Sequence, residues 1–307
     1  MKFGIMLPHF RHVASPDAIA RMAQEAEVMK FDSLWITDRT VVYPGSDETR
    51  FGANFYDPFL TLTYAAVFTH KIKLGTSVIV VPYRSPVALA RTTATLDVMS
   101  NGRLILGIGV SGGKDDTRKE FGILQVPLAQ RGAKTDEALR VIRELWTSDK
   151  PSFNGKFWQF DGFPFEPKPV QKPHPPIWIG GNRDIALKRT LEQGAEGWHP
   201  STMAVDKIAE AVKFLKSEAP KFGRKFEDLA IAPRESLKIM DSRYESKSPL
   251  IGTIDQIKKG IEKYKAIGAN HMVLDLFFGY DELHSETPDS MLKTMDLLAR
   301  KVTPLFR

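Results

Sequence analysis

The sequence predicts a TIM-type (β/α)8 barrel with insertions on its βα connections, and three observations carry that prediction. About eight short apolar runs are each followed by a segment whose apolar side chains recur at helical spacing. These units repeat at about 30 residues and, with two insertions, fill a barrel of ordinary size, about 250 residues before insertions. No shift of composition marks a boundary, so residues 1–307 read as one domain.

Taken in order, Lys2 to Leu7 reads as a buried strand, and Ser15-Pro16-Asp17 starts a helix that runs to Lys30. Ser33 to Thr37 is the second strand, followed by a polar insertion from Asp38 to Asp57 and a helix from Pro58 to Thr69. Ile72 to Thr76, Pro86 to Met99 and Leu104 to Ile108 form a strand, helix, strand unit; two buried strands joined by a helix must lie parallel. Ser85 and Pro86 suit the start of that helix, and Asn101-Gly102 suits a left-handed end. A long helical pattern from Arg131 to Trp146 precedes a second insertion, Pro151 to Pro175, dense in aromatics and prolines. Strands are then expected at Pro176 to Ile179, Glu196 to His199, within Leu229 to Met240, and at His271 to Leu276. Their helices are Arg183 to Gln193, Val205 to Phe222, Thr253 to Ile267 and Pro288 to Val302.

Composition narrows the function classes. With no cysteine there is no disulfide framework, thiolate nucleophile or thiolate metal site. The formal charge of +6 is dispersed, and its densest basic stretch, Lys213 to Lys225, is broken by Glu218 and Pro220. A solvated helix face accounts for it better than a nucleic-acid groove, though a positive potential favours an anionic small molecule. No apolar run reaches the ~18 residues of a membrane span, and MKFGIMLPHF lacks the features of a secretory leader. The expectation is a soluble cytoplasmic protein that contacts neither membrane nor nucleic acid.

Barrel enzymes keep their chemistry at the strand C-termini. There the chain places Pro8-His9, Thr37-Asp38-Arg39, Ser77-Val78, Val110-Ser111, Gly180-Gly181-Asn182 and Trp198-His199. Gly107 to Gly113 spells GxGxxG, but the fingerprint is weak here because it does not open the first unit and lacks the acidic strand end that should follow. Gly180-Gly181-Asn182 runs into a helix, so it is either a phosphate-binding turn or a glycine-assisted N-cap. His199 is a candidate base or a structural histidine beside Trp198. Asp38 and Arg39 either pair with each other at the rim or carry polar chemistry. The seven histidines make no HExxH pattern and His9 and His12 sit in a loop opened by Pro8, so no zinc site is expected, and no Walker loop or GxSxG elbow is present.

The motifs LPHF, SLWITDR, IKLGTSVIVVPYRSPVALARTTATLDVMSNGRLILGIGV, RGAKTDEALRVIRELWT, PKPVQKPHPPIWIGGN and GAEGWHP, in this order, span nearly the whole chain. Together they resemble the luciferase-like monooxygenase superfamily, most closely its branch of coenzyme F420-dependent oxidoreductases. The resemblance implies a barrel that binds F420 or, alternatively, FMN against a bulge in the third strand, with a non-proline cis peptide at Ser77-Val78. It implies phosphate contacts from Gly180, Gly181 and Asn182, ring or ribityl contacts from Val110 and Ser111, and a place for His199 in the cofactor site. Asp38, Arg39 and His9 are the implied polar groups over the reactive face. The family's sugar-phosphate dehydrogenases carry an Asp-His pair after the second strand and a Glu after the fourth. This chain has Asp38-Arg39 and Gly112, and an arginine does not serve as a general base.

The favoured reading is hydride transfer by F420 to or from a small carbonyl or unsaturated substrate. The alternatives are an FMN-dependent monooxygenase fed by a separate flavin reductase, and a non-catalytic flavin-binding protein. Family resemblance also implies a homodimer. The aromatic stretch from Phe153 to Phe165 reads either as a substrate lid or as a surface loop pinned by its own rings.

Overall fold

Runs that are apolar on both faces are satisfied only when a strand has neighbours on both edges and packed layers on both sides. The computed structural model describes residues 1–43, 51–112, 115–277 and 286–307 and puts these runs in one parallel sheet; Gly113 and residues 44–50 of the first insertion lie outside the described residues. The strands are β1 (Lys2–Met6), β2 (Ser33–Ile36), β3 (Lys73–Thr76), β4 (Ile79–Val80), β5 (Leu104–Gly109), β6 (Ile177–Gly180), β7 (Gly197–His199), β8 (Ala230–Ile231), β9 (Arg234–Ser236) and β10 (His271–Asp275). All pair in parallel, in the order β8-β7-β6-β5-β3-β2-β1-β10-β9 with β4 also on β5.

The two ends of that order are one pass of the chain. Pro233, which has no N–H to give, interrupts the seventh barrel strand and splits it into β8 and β9. Backbone bonds bridge the gap on both sides: Ala232 N–H to Trp198 O at 2.9 Å and Val273 N–H to Pro233 O at 3.0 Å. The barrel is therefore closed, as the sequence predicts.

Helices α1 (Pro16–Val28), α2 (Pro58–Val67), α3 (Pro86–Met99), α4 (Asp115–Ile123), α5 (Arg131–Thr147), α6 (Asp184–Glu192), α7 (Val205–Glu218), α8 (Ile254–Ala266) and α9 (Pro288–Lys301) form the outer layer. Ser15 caps α1 through the Ala18 amide at 3.1 Å. Ser85 occupies the N-cap position of α3 but makes no side-chain capping bond, so the start of that helix rests on Pro86. Asn101 and Gly102 both take positive φ, 55° and 74°, and turn the chain into β5. Among the described residues no helix is long and apolar enough to cross a membrane.

The lumen is filled by an aromatic column rather than by aliphatic layers. Trp35 stacks on Trp178 and on His199, each with centroids 5.1 Å apart, and its indole N–H donates to Ser33 Oγ at 2.7 Å. Gly4 and Gly75 make room for that indole, since a Cβ at either would lie 2.3 Å from it.

One placement differs from the expectation. Only the first insertion lies on a βα connection; the second follows α5 and precedes β6, on an αβ connection. It forms a hairpin, Phe153–Asn154 against Gln159–Phe160, that folds back along α5. Glu137 of α5 accepts the amides of Lys156, Phe157 and Trp158 at 3.0, 2.7 and 2.9 Å. Of the two readings of this stretch, the geometry is that of a pinned surface loop.

Candidate functional site

A bulge builds the site. After β3 the chain departs from the ladder at Ser77-Val78, whose peptide bond is cis, and rejoins it as β4 against β5 at Ile108 and Gly109. Glycines receive the bulge: a Cβ on Gly109 would lie 2.6 Å from Val78, one on Gly180 would lie 2.8 Å from it, and one on Gly107 would lie 1.9 Å from Thr76 O. These glycines thus seat the bulge, which the GxGxxG pattern alone does not suggest. Gly112 and Gly181 differ. Gly112 has open space around it, and Gly181 has φ +122°, a region that favours glycine.

Beside the bulge lies a cavity of about 410 Å³. Ser77, Val78, Val110 and Ser111 line it on one side, and Gly180, Gly181, Asn182 and His199 on the other. The structure thus brings together all eight residues expected to contact a cofactor. Ser111 holds φ +63°, which costs an L-residue ~1 kcal/mol, at the lip of this trough.

The trough floor is rigid. His199 Nδ1 bonds Ala232 O, which leaves Nε2 to accept from Ser77 Oγ at 2.8 Å. Burial lowers the His199 pKa to about 4, so the ring is neutral at pH 7 and both its nitrogens are committed. That geometry favours the structural reading of His199 over the base. From below, Arg234 donates to Ser77 O at 3.2 Å and forms a buried ion pair with Asp275. Arg234 and Asp275 were not among the expected site residues; the signal for Asp275 was a charge at the end of an apolar run, His271 to Leu276, and Arg234 stands in the polar triplet Arg234-Glu235-Ser236.

The end of the trough at Gly180, Gly181 and Asn182 is open. Asn182 spends its side-chain amide on Ser201, donating to O at 2.7 Å and accepting from N at 3.0 Å, so only its backbone faces the trough. Arg183 stands at the N-cap of α6 without a side-chain capping bond, leaving first-turn amides for an anion. A second cavity of about 690 Å³ continues from the trough, sharing Val110, Ser111 and Arg183 and adding Arg131. Arg189 on its wall is paired with Asp136 at 2.5 Å, whereas the buried Arg131 Nε has no partner among the described residues. Small residues, uncapped amides and cations form a donor set that fits a flat ring with a phosphate and an acidic extension. Among the described residues no cluster of metal-ligating side chains occurs.

The adjoining rim, on the β2 side of the bulge, carries charge. Asp38 and Arg39 do not pair with each other. Asp38 takes a bidentate contact from Arg84, at 2.5 and 2.9 Å, and the Val80 amide at 2.9 Å. Burial pushes its carboxyl up, and Arg84 opposes the shift. Arg39 reaches Glu120 of α4 at 3.7 Å. Glu120 also accepts the amides of Thr40 and Val41 at 2.9 and 3.1 Å and the Tyr83 hydroxyl at 2.8 Å. Glu120 thus brings its carboxylate to this rim from a helix rather than from a strand-end loop. His9 is buried, with Nδ1–H donating to Leu7 O at 2.8 Å and Nε2 accepting the Thr37 amide at 3.0 Å. Its pKa is lowered to about 4 by burial, so it stands as a neutral tie between strand ends.

Against known proteins, the profile of the luciferase-like monooxygenase family matches residues 1–272. The chain belongs to that family. Members are flavin- or F420-dependent oxidoreductases and monooxygenases. An uncharacterised protein of Mycobacterium tuberculosis is 30% identical over 227 residues, 70% of this chain and 77% of that one. The oxygenase component of flavin-dependent trigonelline monooxygenase from Acinetobacter baylyi is 36% identical over 138 residues, 45% of this chain and 38% of that one. The F420-dependent tetrahydromethanopterin reductase of Methanopyrus kandleri shares the fold, with a TM-score of 0.81, 20% identity, and coverage of 100% of this chain and 99% of that one.

Proposed function

We propose that this luciferase-like protein is an F420-dependent oxidoreductase that moves hydride to or from a small organic carbonyl or unsaturated substrate. The observation that carries the choice of cofactor is the cavity of about 690 Å³ that runs on past the phosphate position, with Arg131 and Arg183 on its wall. A cofactor ending at its phosphate leaves that space unused, while an acidic extension pairs with those cations; Asp184 opposes them only in part.

When bound, a deazaflavin supplies the carbon that carries hydride. Ser77 and Val78 support its ring, Val110 and Ser111 border it, and the backbone of Gly180, Gly181 and Asn182 holds the phosphate. His199 and Arg234 fix Ser77 from two directions and so act as positioning residues. Arg39 and the Asp38–Arg84 pair orient a polar group of the substrate, and neutral His9 keeps the Asp38 strand end in register. The enzyme acts as a soluble cytoplasmic homodimer; Leu60, Tyr64 and Val67, exposed by 73, 39 and 70% along one face of α2, support self-association.

The second reading, an FMN-dependent monooxygenase served by a flavin reductase, is favoured by the identity with the trigonelline enzyme. Calorimetric titration of the apoprotein with F420, FMN and reduced FMN separates the two. F420 is expected to bind most tightly, and Arg131→Gln with Arg183→Gln to weaken F420 but not FMN. Tighter binding of FMN or reduced FMN, with no effect of the arginines, overturns the F420 reading in favour of the second.

A further inference from the structure

The connection after β9 borders a cavity of about 450 Å³ against α8 that shares no lining residue with the trough. From this geometry we infer a second ligand site, for a small phosphorylated molecule carrying at least two negative charges. Arg243, Lys259 and Lys263 converge on this space, and none has a carboxylate partner among the described residues. Asp255 lines it too but is paired with Lys258 at 3.5 Å, while Asp241, Glu245 and Glu262 do not line it. Lys259 and Lys263 lie one helical turn apart and repel each other, and Arg243 adds a third like charge from across the gap. Folding gains nothing from that convergence, whereas an anion relieves it.

The cavity is preformed. Gln256 accepts the Tyr244 amide at 3.2 Å, donates to Tyr244 O at 2.9 Å, and completes a capping box with Thr253. These bonds hold the 243–249 segment on the first turn of α8. Farther along, the segment's backbone lies so close to the helix that a Cβ on Gly260 would stand 2.2 Å from Pro249 O. A mid-helix glycine disfavours the helix, and here it admits the segment that shapes the cavity. Tyr244, half-buried on the wall, adds an aromatic surface and a hydroxyl. In barrels generally, the connections after strands seven and eight are frequent phosphate sites.

The test is calorimetric titration of the full chain with pyrophosphate at low ionic strength. Lys259→Ala with Lys263→Ala, both exposed and so expected to fold normally, is compared with the unaltered chain. Pyrophosphate binding is expected to weaken by about tenfold or more while cofactor affinity stays the same. A Gly181→Asp chain, closed at the trough, is expected to keep this pyrophosphate site. No pyrophosphate binding to the unaltered chain, an unchanged isotherm for the lysine pair, or loss of all binding with Gly181→Asp in folded protein overturns the inference. If Gly181→Asp does not fold, the lysine pair decides alone.

Discussion

The two rims of the barrel mouth are built on opposite principles. The trough is shaped by what is missing: Gly107, Gly109 and Gly180 have no Cβ, so the Ser77-Val78 bulge can enter, and Gly181 bends as other residues rarely do. The adjoining rim is shaped by full occupancy, with Asp38, Arg84, Glu120 and Tyr83 buried or half-buried and satisfied by one another or by backbone amides. A surface made by omission can receive a ligand, whereas a set of buried charges holds three connections in fixed relation only while every partner is present. Apart from the three glycines that seat the bulge, the trough should therefore lose binding more than stability when changed, and the charged rim should do the reverse.

The largest effect expected is one of pH on the buried histidines of the barrel. Burial lowers His9 and His199 to about 4 and His271 to about 3, from an ordinary 6.5. The unfolded chain binds more protons over that interval, so their contribution is complete above pH 6.5 and is lost as pH falls through about 4 for His9 and His199, roughly 3 kcal/mol each, and through about 3 for His271, roughly 5 kcal/mol. Glu235 acts with the opposite sign: burial raises it from 4.5 to about 7, so its contribution is present below 4.5 and lost as pH rises through 7. Urea unfolding between pH 4 and 7 checks the slope. His199→Gln is expected to flatten the acid limb, and an unaltered slope would break the assignment of a neutral buried ring.

Next comes the charged rim. Arg84→Met leaves the Asp38 carboxylate buried without its cation and is expected to cost ~3 kcal/mol in urea unfolding. At the trough, Gly181→Asp sets a carboxylate where a phosphate would lie, and cofactor affinity is expected to fall by roughly a hundredfold. The same substitution should leave the far-UV circular dichroism spectrum of the fold; comparable losses from it and Arg84→Met in both stability and binding would erase the distinction between the rims. Tyr83→Phe removes one donor from Glu120 while the two amides remain, so about 1.5 kcal/mol is expected. Lys207→Ala breaks an exposed pair with Glu210 and provides the baseline, with no measurable change in either property.

Legibility in the sequence divided along the same line. Strand and helix positions were readable because burial on two faces, proline starts and glycine ends are local signals, as at Pro58, Pro86 and Asn101-Gly102. The trough residues were readable as small residues and glycines at strand ends, and the family resemblance supplied the role proposed for them. The charged rim was not, because its bonds join residues far apart: Glu120 meets Thr40 across 80 positions, and Arg84 meets Asp38 across 46. Of the two readings of Asp38 and Arg39, the structure does not show the mutual pair: Asp38 meets Arg84 and Arg39 meets Glu120.

By itself, then, the sequence determined a βα repeat and where its strands end, since period, cap and turn chemistry act over a few residues. The tertiary structure decided which glycines admit the bulge and which line open space, and that His199 is a neutral tie to Ser77. It also put the second insertion on the flank of α5. Those outcomes depend on which distant groups meet in a low-dielectric interior, where burial and partner choice set both charge state and role.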